Sequence, residues 1–261
     1  MSHRLPPLIR WPGGQSRELK KLTPYFPKHT AYVEPFAGGA SFFFGKDPAQ
    51  IEALGDTSPW LMKFYDSVRR GALRSCQRGV PYSLSAFRRA LKSTSACSRL
   101  AVSALGFGGF LGGQKGGFDW SRRRMGTRFG TMLYGQKMKK LPSYERRLRH
   151  AFLTTGSFER TMKKFDSPST FHLLDPPWPE NHSKEYYGND DSEVTPERVA
   201  KVVRKMKGTV WVLYNAHPAV VQAFRGRGFR IYKIRTKTLH AKRGAQQGVK
   251  LLITNRPLRR R

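Results

Sequence analysis

The sequence predicts an α/β fold that is interrupted by an insertion, and three observations support this prediction. A short strand at Tyr32 and Val33 runs into a glycine-bearing turn and an aromatic helix start. A second strand at 51–56 ends on an acid, Asp56, about twenty residues further on, which is the opening of a nucleotide-binding α/β unit. Strand and helix patterns return after residue 150, whereas 72–150 has no sustained strand alternation.

The segment after the second strand predicts a helix. Thr57 or Ser58 suits its N-cap, and Pro59 suits its first turn. Its apolar residues recur at helical spacing, at Leu61, Phe64, Tyr65 and Val68.

The remaining elements follow from the same signals. The pattern predicts helical pieces in 84–105, strands over 150–158, 169–175 and 209–215, and helices over 195–208 and 220–224. Thr195 is the predicted N-cap of the helix at 195–208, with Pro196 at its first position. Two strands, 229–239 and 249–255, close the fold, and the last is apolar enough to be central.

The charge of the chain is extreme. Its 49 Lys and Arg residues against 17 Asp and Glu residues give a net charge of +32 in 261 residues. Such an excess indicates a polyanionic partner, above all nucleic acid. The alternative is a solvated basic surface.

Cysteine usage and hydropathy bear on the compartment. Cys76 and Cys97 lie outside any metal-ligand spacing and predict reduced thiols, with neither a zinc site nor a disulfide. No apolar segment at the start or elsewhere approaches membrane-spanning length. We therefore expect an intracellular protein without a metal or a membrane partner, either cytoplasmic and nucleoid-associated or inside a virus- or phage-infected cell.

The stretch "FHLLDPPWPE" (171–180) carries the chemistry. Because the lone pair of an exocyclic amino group is delocalised into its base, methylation of the amine needs acceptors for both amino hydrogens. Asp175 and the Pro176 carbonyl would be these acceptors, held rigidly by the prolines, and Trp178 would stack against a base swung out of its helix. The alternative is a tight turn after a buried strand, with Trp178 in the core.

Five motifs in order carry a family resemblance. "RWPGGQSREL" (10–19) resembles a W-A-G-G-K segment, "YVEPFAGGASFFF" (32–44) resembles V-E-P-F-x-G-G/A-G, and "GDTSPWLMKFY" (55–65) resembles D-x-N-x-x-L-I. "LLDPPW" resembles D-P-P-Y, and "KLLITN" (250–255) resembles E-L-L-x-T-N. In this order they resemble the Dam-type DNA adenine-N6 methyltransferases of the alpha group of amino-methyltransferases.

The resemblance implies both a fold and a reaction. The fold would be a Rossmann-like class I methyltransferase sheet with helices on both faces, formed by 1–70 and 150–256. An inserted lobe of helices and loops for target recognition (71–149) and a basic tail (257–261) would complete the chain. The reaction would transfer a methyl group from S-adenosylmethionine to the N6 amino group of adenine in DNA, with base flipping. Cytosine N4, adenine in RNA, and a non-catalytic nucleic-acid-binding protein on this fold are the alternatives.

The resemblance also implies the site residues. The glycines Gly38 and Gly39 would let the backbone approach the donor, Glu34 would face its cationic amino end, and Asp56 would bind its ribose hydroxyls. The whole predicted donor set is Trp11, Pro12, Gly13, Gly14, Glu34, Pro35, Phe36, Gly38, Gly39, Asp56, Ser157, Phe158 and Asp175. The predicted catalytic set is Asp175, Pro176, Pro177 and Trp178. Trp178 replaces the usual tyrosine, Gln15 a lysine and Ser157 an acid.

The insertion supplies the predicted nucleic-acid contacts, because arginine and lysine are interleaved there with aromatic and glycine residues. The predicted set is Arg122, Arg123, Arg124, Arg128, Lys137, Lys139 and Lys140. The alternative is a cationic lobe that packs its own aromatic side chains.

Overall fold

The computed structural model describes residues 4–11, 16–76, 79–107, 117–120, 134–179, 193–226, 228–240 and 244–260. Its strands are β1 (Ala31–Glu34), β2 (Ile51–Asp56), β3 (Phe152–Thr155), β4 (Thr170–Leu174), β5 (Thr209–Asn215), β6 (Arg230–His240) and β7 (Gly244–Thr254). They form a seven-stranded sheet in the order β3-β2-β1-β4-β5-β7-β6.

The strand order confirms the predicted fold class, an α/β fold with a Rossmann-like sheet. The strands from β3 to β5 pair in parallel, and β7 pairs antiparallel with both β5 and β6. The last strand is therefore central, as its apolar sequence predicts. The chain order reverses between β1 and β4, and in such sheets ligands bind at the carboxyl ends of the strands at this switch point.

Two layers of helices cover the sheet, as predicted. The helices are α1 (Ser16–Leu22), α2 (Ser41–Gly45), α3 (Pro59–Arg69), α4 (Leu84–Leu91), α5 (Ala96–Leu105), α6 (Leu141–Leu148), α7 (Phe158–Lys164), α8 (Pro196–Val203) and α9 (Pro218–Phe224). Side-chain alternation sends Leu173 and Trp211 into one core with α1 to α6, and Leu174 and Val212 into another with α7 to α9. None of the described helices is long and apolar enough to cross a bilayer.

Local sequence signals set several helix starts. The Thr195 hydroxyl accepts the Arg198 N–H at 3.2 Å, with Pro196 at the first position of α8, as predicted. Ser83 and Ser95 cap α4 and α5 in the same way. Serine or threonine therefore marks the residue at which each of these helices begins.

The described part of the insertion is helical, and no named strand lies in it. Leu73, Phe87, Leu100 and Tyr144 belong to the same core as the sheet residue Phe171. The insertion thus shares a core with the sheet, while the division into a catalytic domain, a target-recognition lobe and a tail stays a prediction.

Two expectations from the sequence are wrong. The strand predicted over 150–158 is only Phe152–Thr155, because Gly156 takes a positive φ of 132° and Ser157 caps helix α7. The two cysteines are not free thiols: Cys76 and Cys97 form a disulfide with a Cα–Cα separation of 5.5 Å. Sequence spacing gave no sign of this pair, since packing of α5 beside the end of the preceding 3₁₀ helix (Ala72–Ser75) brings the two residues together.

Polar contacts tie the strands together at the sheet edge where β4 and β5 begin. Asn255, just after β7, accepts the Val210 N–H at 2.9 Å and donates to the Gly208 carbonyl at 2.9 Å. The buried His172 ring contacts Asp166 at 3.0 Å, and Asp166 also accepts the Gly208 N–H. Burial lowers the pKa of His172, although the Asp166 carboxylate opposes this shift, so the ring favours the neutral form.

These contacts generate a stability prediction for Asn255. Asn255→Ala leaves the Val210 N–H and the Gly208 carbonyl without their partner, so we expect a loss of about 1–3 kcal/mol in the free energy of unfolding. Urea denaturation would measure it, with Arg204→Ala, at an exposed position, as the control. An unfolding midpoint equal to that of the wild type would show that these hydrogen bonds contribute nothing net.

Candidate active site

A tight turn follows β1 and is held from both sides. Gly38 has a φ of +44°, in the left-handed region that glycine tolerates. Its N–H donates to Asp56 Oδ2 at 3.0 Å, and its carbonyl accepts the Tyr65 hydroxyl at 2.6 Å. Asp56 Oδ1 also accepts the Ser58 N–H at 2.9 Å, at the start of α3. Of the two predicted N-cap positions, Thr57 and Ser58, the structure has Ser58, and the Ser58 side chain makes no capping hydrogen bond.

Trp11 packs directly on the glycine turn. A Cβ atom on Gly38 would lie 2.7 Å from Trp11 Cδ1, and one on Gly39 would lie 3.2 Å from Trp11 Cβ. The Trp11 ring is also 5.7 Å from the Trp60 ring, centroid to centroid, and the Arg99 guanidinium lies over Trp60. In this structure the glycines make room for an indole of the predicted donor set. The neighbouring residues of that set, Pro12, Gly13 and Gly14, lie outside the described residues.

Glu34 ends β1 as a buried acid. Its Oε2 accepts two hydrogen bonds, from the Tyr32 hydroxyl at 2.8 Å and from the Phe43 N–H at 3.0 Å. Burial raises the pKa of Glu34 to about 8, and the nearby negative charge of Asp175 adds to the shift. The carboxyl is therefore poised to ionise when a cation approaches.

The Asp-Pro-Pro-Trp segment lies at the carboxyl end of β4, beside β1 in the sheet. Asp175 is the first residue after the strand, and its charge is close enough to Glu34 to raise the pKa of Glu34. Pro176 and Pro177 are buried, whereas Trp178 is half-buried. Two acids and an indole thus meet at the switch point of the sheet.

The other predicted donor residues lie along the same edge. Pro35 is buried directly after β1. The Phe36 and Phe158 rings are 5.1 Å apart, centroid to centroid, and Phe158 is buried at the start of α7. The Ser157 hydroxyl accepts the Arg160 N–H at 3.4 Å, so it is engaged in capping α7. Phe36 and Phe158 thus offer the apolar faces of this part of the site, whereas Ser157 is exposed.

Lys137, predicted to contact nucleic acid, has its ammonium turned inward. The ammonium donates to the carbonyls of Pro7, at 3.2 Å, and of Leu8. Burial and the neighbouring Arg10 guanidinium lower the pKa of Lys137 to about 8. The side chain therefore anchors the segment that leads into Trp11.

Lys139 and Lys140 are the two exposed members of the predicted nucleic-acid set that the structure describes. Lys140 is the N-cap residue of α6 and Lys139 precedes it, on the chain segment that follows the arginine-rich stretch. The other members, Arg122, Arg123, Arg124 and Arg128, lie outside the described residues.

A buried ion cluster behind the site was not predicted. Glu52 contacts the Lys46 ammonium at 2.5 Å and forms an ion pair with Arg147 from α6. Arg147 Nη2 also donates to the Phe43 carbonyl at 2.7 Å, and the Phe43 N–H donates to Glu34. The cluster links the insertion to the buried acid, and nothing in the basic run around Arg147 distinguishes this residue from its neighbours.

Among the described residues, no group of three or more His, Cys, Asp or Glu side chains could hold a metal ion. The groups that the site offers to a ligand are the carboxylates of Asp56 and Asp175, the buried carboxyl group of Glu34, and the faces of aromatic side chains.

Comparison with known proteins finds similarity in the N-terminal part of the chain. Residues 11–93 match the family model described as D12 class N6 adenine-specific DNA methyltransferase. The type II methyltransferase M.CviBI of Paramecium bursaria Chlorella virus NC1A is 34% identical over 67 residues, which cover 25% of this chain and 26% of that protein. The chain thus spans about a quarter of that relative's length in the alignment.

Solved structures give weaker likenesses over nearly the whole chain. A precorrin 8W decarboxylase of Methanobacterium thermoautotrophicum is 10% identical with a TM-score of 0.39, covering 97% of this chain and 96% of that one. A precorrin-6y C5,15-methyltransferase of Geobacter metallireducens GS-15 is 8% identical with a TM-score of 0.41, covering 92% and 86%. Both TM-scores are too low to carry either protein's chemistry over to this chain.

The family match includes the glycine turn, Glu34 and Asp56, which are three parts of the site described above. The resemblance inferred from the sequence is therefore confirmed over residues 11–93, which match the family model described as D12 class N6 adenine-specific DNA methyltransferase.

Proposed function

We propose that the protein transfers a methyl group from S-adenosylmethionine to the N6 amino group of adenine in DNA, after the base has been flipped out of the duplex. The observation that carries this proposal is the place of Asp175-Pro-Pro-Trp178, at the carboxyl end of β4 beside Glu34 and the glycine turn. The family match of residues 11–93 supports the same reaction.

Asp175 and the Pro176 carbonyl would act on the acceptor amine. Each accepts a hydrogen bond from one amino hydrogen, so the nitrogen lone pair is freed from the ring and directed at the methyl group. Two consecutive prolines fix φ, which keeps these acceptors in place and avoids reorganisation during the reaction. Trp178 would stack against the flipped base.

The residues present fit S-adenosylmethionine. When bound, this cofactor supplies an electrophilic methyl group and carries positive charge. Glu34 is buried next to Asp175, so a cation would relieve the repulsion between the two acids and the desolvation of Glu34. The Asp56 carboxylate, next to the glycine turn, would accept from ribose hydroxyls, and Phe36 and Phe158 offer apolar faces.

DNA is the partner that the net charge and the basic insertion favour. Cytosine in DNA and adenine in RNA present the same amine chemistry, so they are alternative acceptors. Mass spectrometry of nucleosides from treated DNA and RNA would identify the acceptor, because N6-methyladenine and N4-methylcytosine are separable products. Label from the methyl donor in cytosine alone, or in RNA alone, would overturn the proposed acceptor.

The first prediction concerns the role of Asp175. Asp175→Ala and Asp175→Asn should both nearly abolish methyl transfer to DNA that lacks N6-methyladenine, because neither side chain reliably accepts a hydrogen bond from the amine. Donor affinity by calorimetry should stay within several-fold, since the carboxylate acts on the acceptor. Undiminished turnover in either variant would contradict the mechanism. Asn255→Ala, at the opposite edge of the sheet, is the control and should retain turnover.

The second prediction concerns the protonation of Glu34. Its pKa is about 8 in the folded chain against an ordinary value of 4.5, so the folded state holds the proton more tightly. The stabilisation that this proton provides is complete below pH 4.5 and is lost as the pH rises through 8. Between pH 5 and pH 8.5, the wild type should therefore lose roughly 4 kcal/mol relative to Glu34→Gln in the free energy of unfolding.

Donor binding should show the opposite trend with pH. A cationic donor favours ionised Glu34, so donor affinity of the wild type should rise between pH 5 and pH 8, with proton release on binding. Glu34→Gln should bind the donor more weakly and without this pH dependence. Calorimetry in two buffers of different ionisation enthalpy measures the released proton. If donor affinity had the same pH dependence in the wild type and in Glu34→Gln, Glu34 would not face the donor cation.

The third prediction concerns salt. The logarithm of the DNA association constant should fall linearly with log salt, with a slope of about −0.9 per phosphate neutralised. Substituting Arg122, Arg123 and Arg124 together by alanine should flatten this slope and reduce target preference. Lys139→Ala with Lys140→Ala should also flatten it. Lys137→Met should not, since the Lys137 ammonium donates to the Pro7 and Leu8 carbonyls.

Donor binding by the arginine variant is the control and should be unchanged. Arg259→Ala with Arg260→Ala should lower affinity about equally for any DNA sequence, because the tail is exposed and lies beyond the last strand. If the triple-arginine variant kept the salt slope of DNA binding and the target preference of the wild type, the insertion would be a solvated basic surface.

A further inference from the structure

A lysine of the last strand lies at the active-site edge of the sheet. Lys250 of β7 pairs with Asn215, the last residue of β5, and β7 runs antiparallel to β5. Lys250 is therefore at the carboxyl ends of the parallel strands, where β4 leads into Asp175. Only 7% of Lys250 is exposed.

Lys250 connects two of the motif segments. Its ammonium lies over the Trp178 ring, 5.2 Å from the ring centroid. The same ammonium is 3.3 Å from Oε1 of Glu18, a buried acid in α1. The Thr236 hydroxyl of β6 donates to that oxygen at 2.8 Å, which fixes the carboxylate. The indole, the ammonium and the carboxylate thus form a row that ends in the N-terminal segment.

Two departures from the family pattern meet in this contact. The chain has Trp178 where the pattern D-P-P-Y has tyrosine, and Lys250 where the pattern E-L-L-x-T-N has glutamate. A cation interacts more strongly with the face of tryptophan than with that of tyrosine, and a glutamate at this place would repel both the π face and Glu18. The two exchanges are therefore complementary.

We propose that Lys250 is a positioning residue for Trp178, fixed in turn by Glu18, and that it determines which face of the indole receives the acceptor base. The proposal rests on the proposed function for the part that concerns the base. The ammonium covers one face of the indole, so the base takes the opposite face. Because the cation draws electron density toward itself, it also favours stacking of an electron-rich purine on that opposite face.

Fluorine NMR of protein labelled with 5-fluorotryptophan tests the positioning role without any need for activity. The chain has five tryptophans, and Trp178→Phe identifies the resonance of Trp178. Lys250→Met, which keeps the length of the side chain but removes its charge, should shift or broaden this resonance and leave the other four in place. Lys250→Arg should preserve it. Glu18→Gln, which keeps an acceptor for Thr236, should shift it in the same direction as Lys250→Met, but less.

Three outcomes would overturn the positioning role. They are an unmoved Trp178 resonance in Lys250→Met, an equal shift in Lys250→Arg, and displacement of all five resonances, which indicates a general structural role. If Lys250→Met does not fold, Glu18→Gln decides, and an unmoved Trp178 resonance in that variant overturns the proposal.

Single-turnover methylation at saturating donor and DNA tests the consequence for the base. Lys250→Met should lower the rate constant about tenfold, as expected when a stacking group loses its orientation, whereas Lys250→Arg should stay within about twofold. Donor affinity should be unchanged in both variants. A full rate in Lys250→Met would overturn the effect on the base. Absence of methylation by the wild type would instead reject the proposed function, and the NMR result would still decide the role of Lys250.

Discussion

The carboxylate of Asp56 is the constraint on which the site depends. One of its oxygens accepts the Gly38 N–H, and the other accepts the Ser58 N–H. A single side chain therefore fixes the turn after β1 and the start of α3, and Tyr65 of that helix closes the loop by donating to the Gly38 carbonyl. Because Trp11 packs on the same turn, the N-terminal segment takes its position from it as well. Asp56, the acid expected to bind a ribose, thus also fixes the backbone of the glycine turn and of the start of α3.

Much of the fold could be predicted because its signals are local. Proline and threonine at the start of α8, the glycine turn after β1 and the apolar runs of the strands each act over a few residues. The end of β3 was missed because Gly156 and Ser157 change the backbone direction within an otherwise strand-like run. The disulfide was missed for a different reason: it depends on packing between segments that are 21 residues apart, and no local pattern encodes that packing.

The placement of Glu34, Asp56 and Asp175 at the ends of strands could be predicted, because the strand patterns of the sequence stop at these acids. The sequence does not predict which basic side chains point into the interior and which point into solvent. Lys137 belongs to a run of basic residues, yet its ammonium donates to backbone carbonyls. Arg147 reaches the buried Glu52, and Lys250 reaches Trp178 and Glu18. In a chain with 49 basic residues, charge alone cannot separate those that support the site from those that face a polyanion.

The two edges of the sheet divide stability from chemistry. At the edge where β4 and β5 begin, Asp166 contacts the His172 ring and accepts the Gly208 N–H, and Asn255 bonds the backbone of Val210 and Gly208, so these side chains hold neighbouring strands together. At the opposite edge, the carboxyl of Glu34 stays buried beside Asp175 at a cost in stability that grows with pH. A cationic ligand would offset this cost in the free energy of unfolding. The hydrogen bonds at the other edge contribute stability that opposes the same cost. The desolvation of Glu34 and its repulsion by Asp175 are therefore the physical reason for expecting a positively charged donor there.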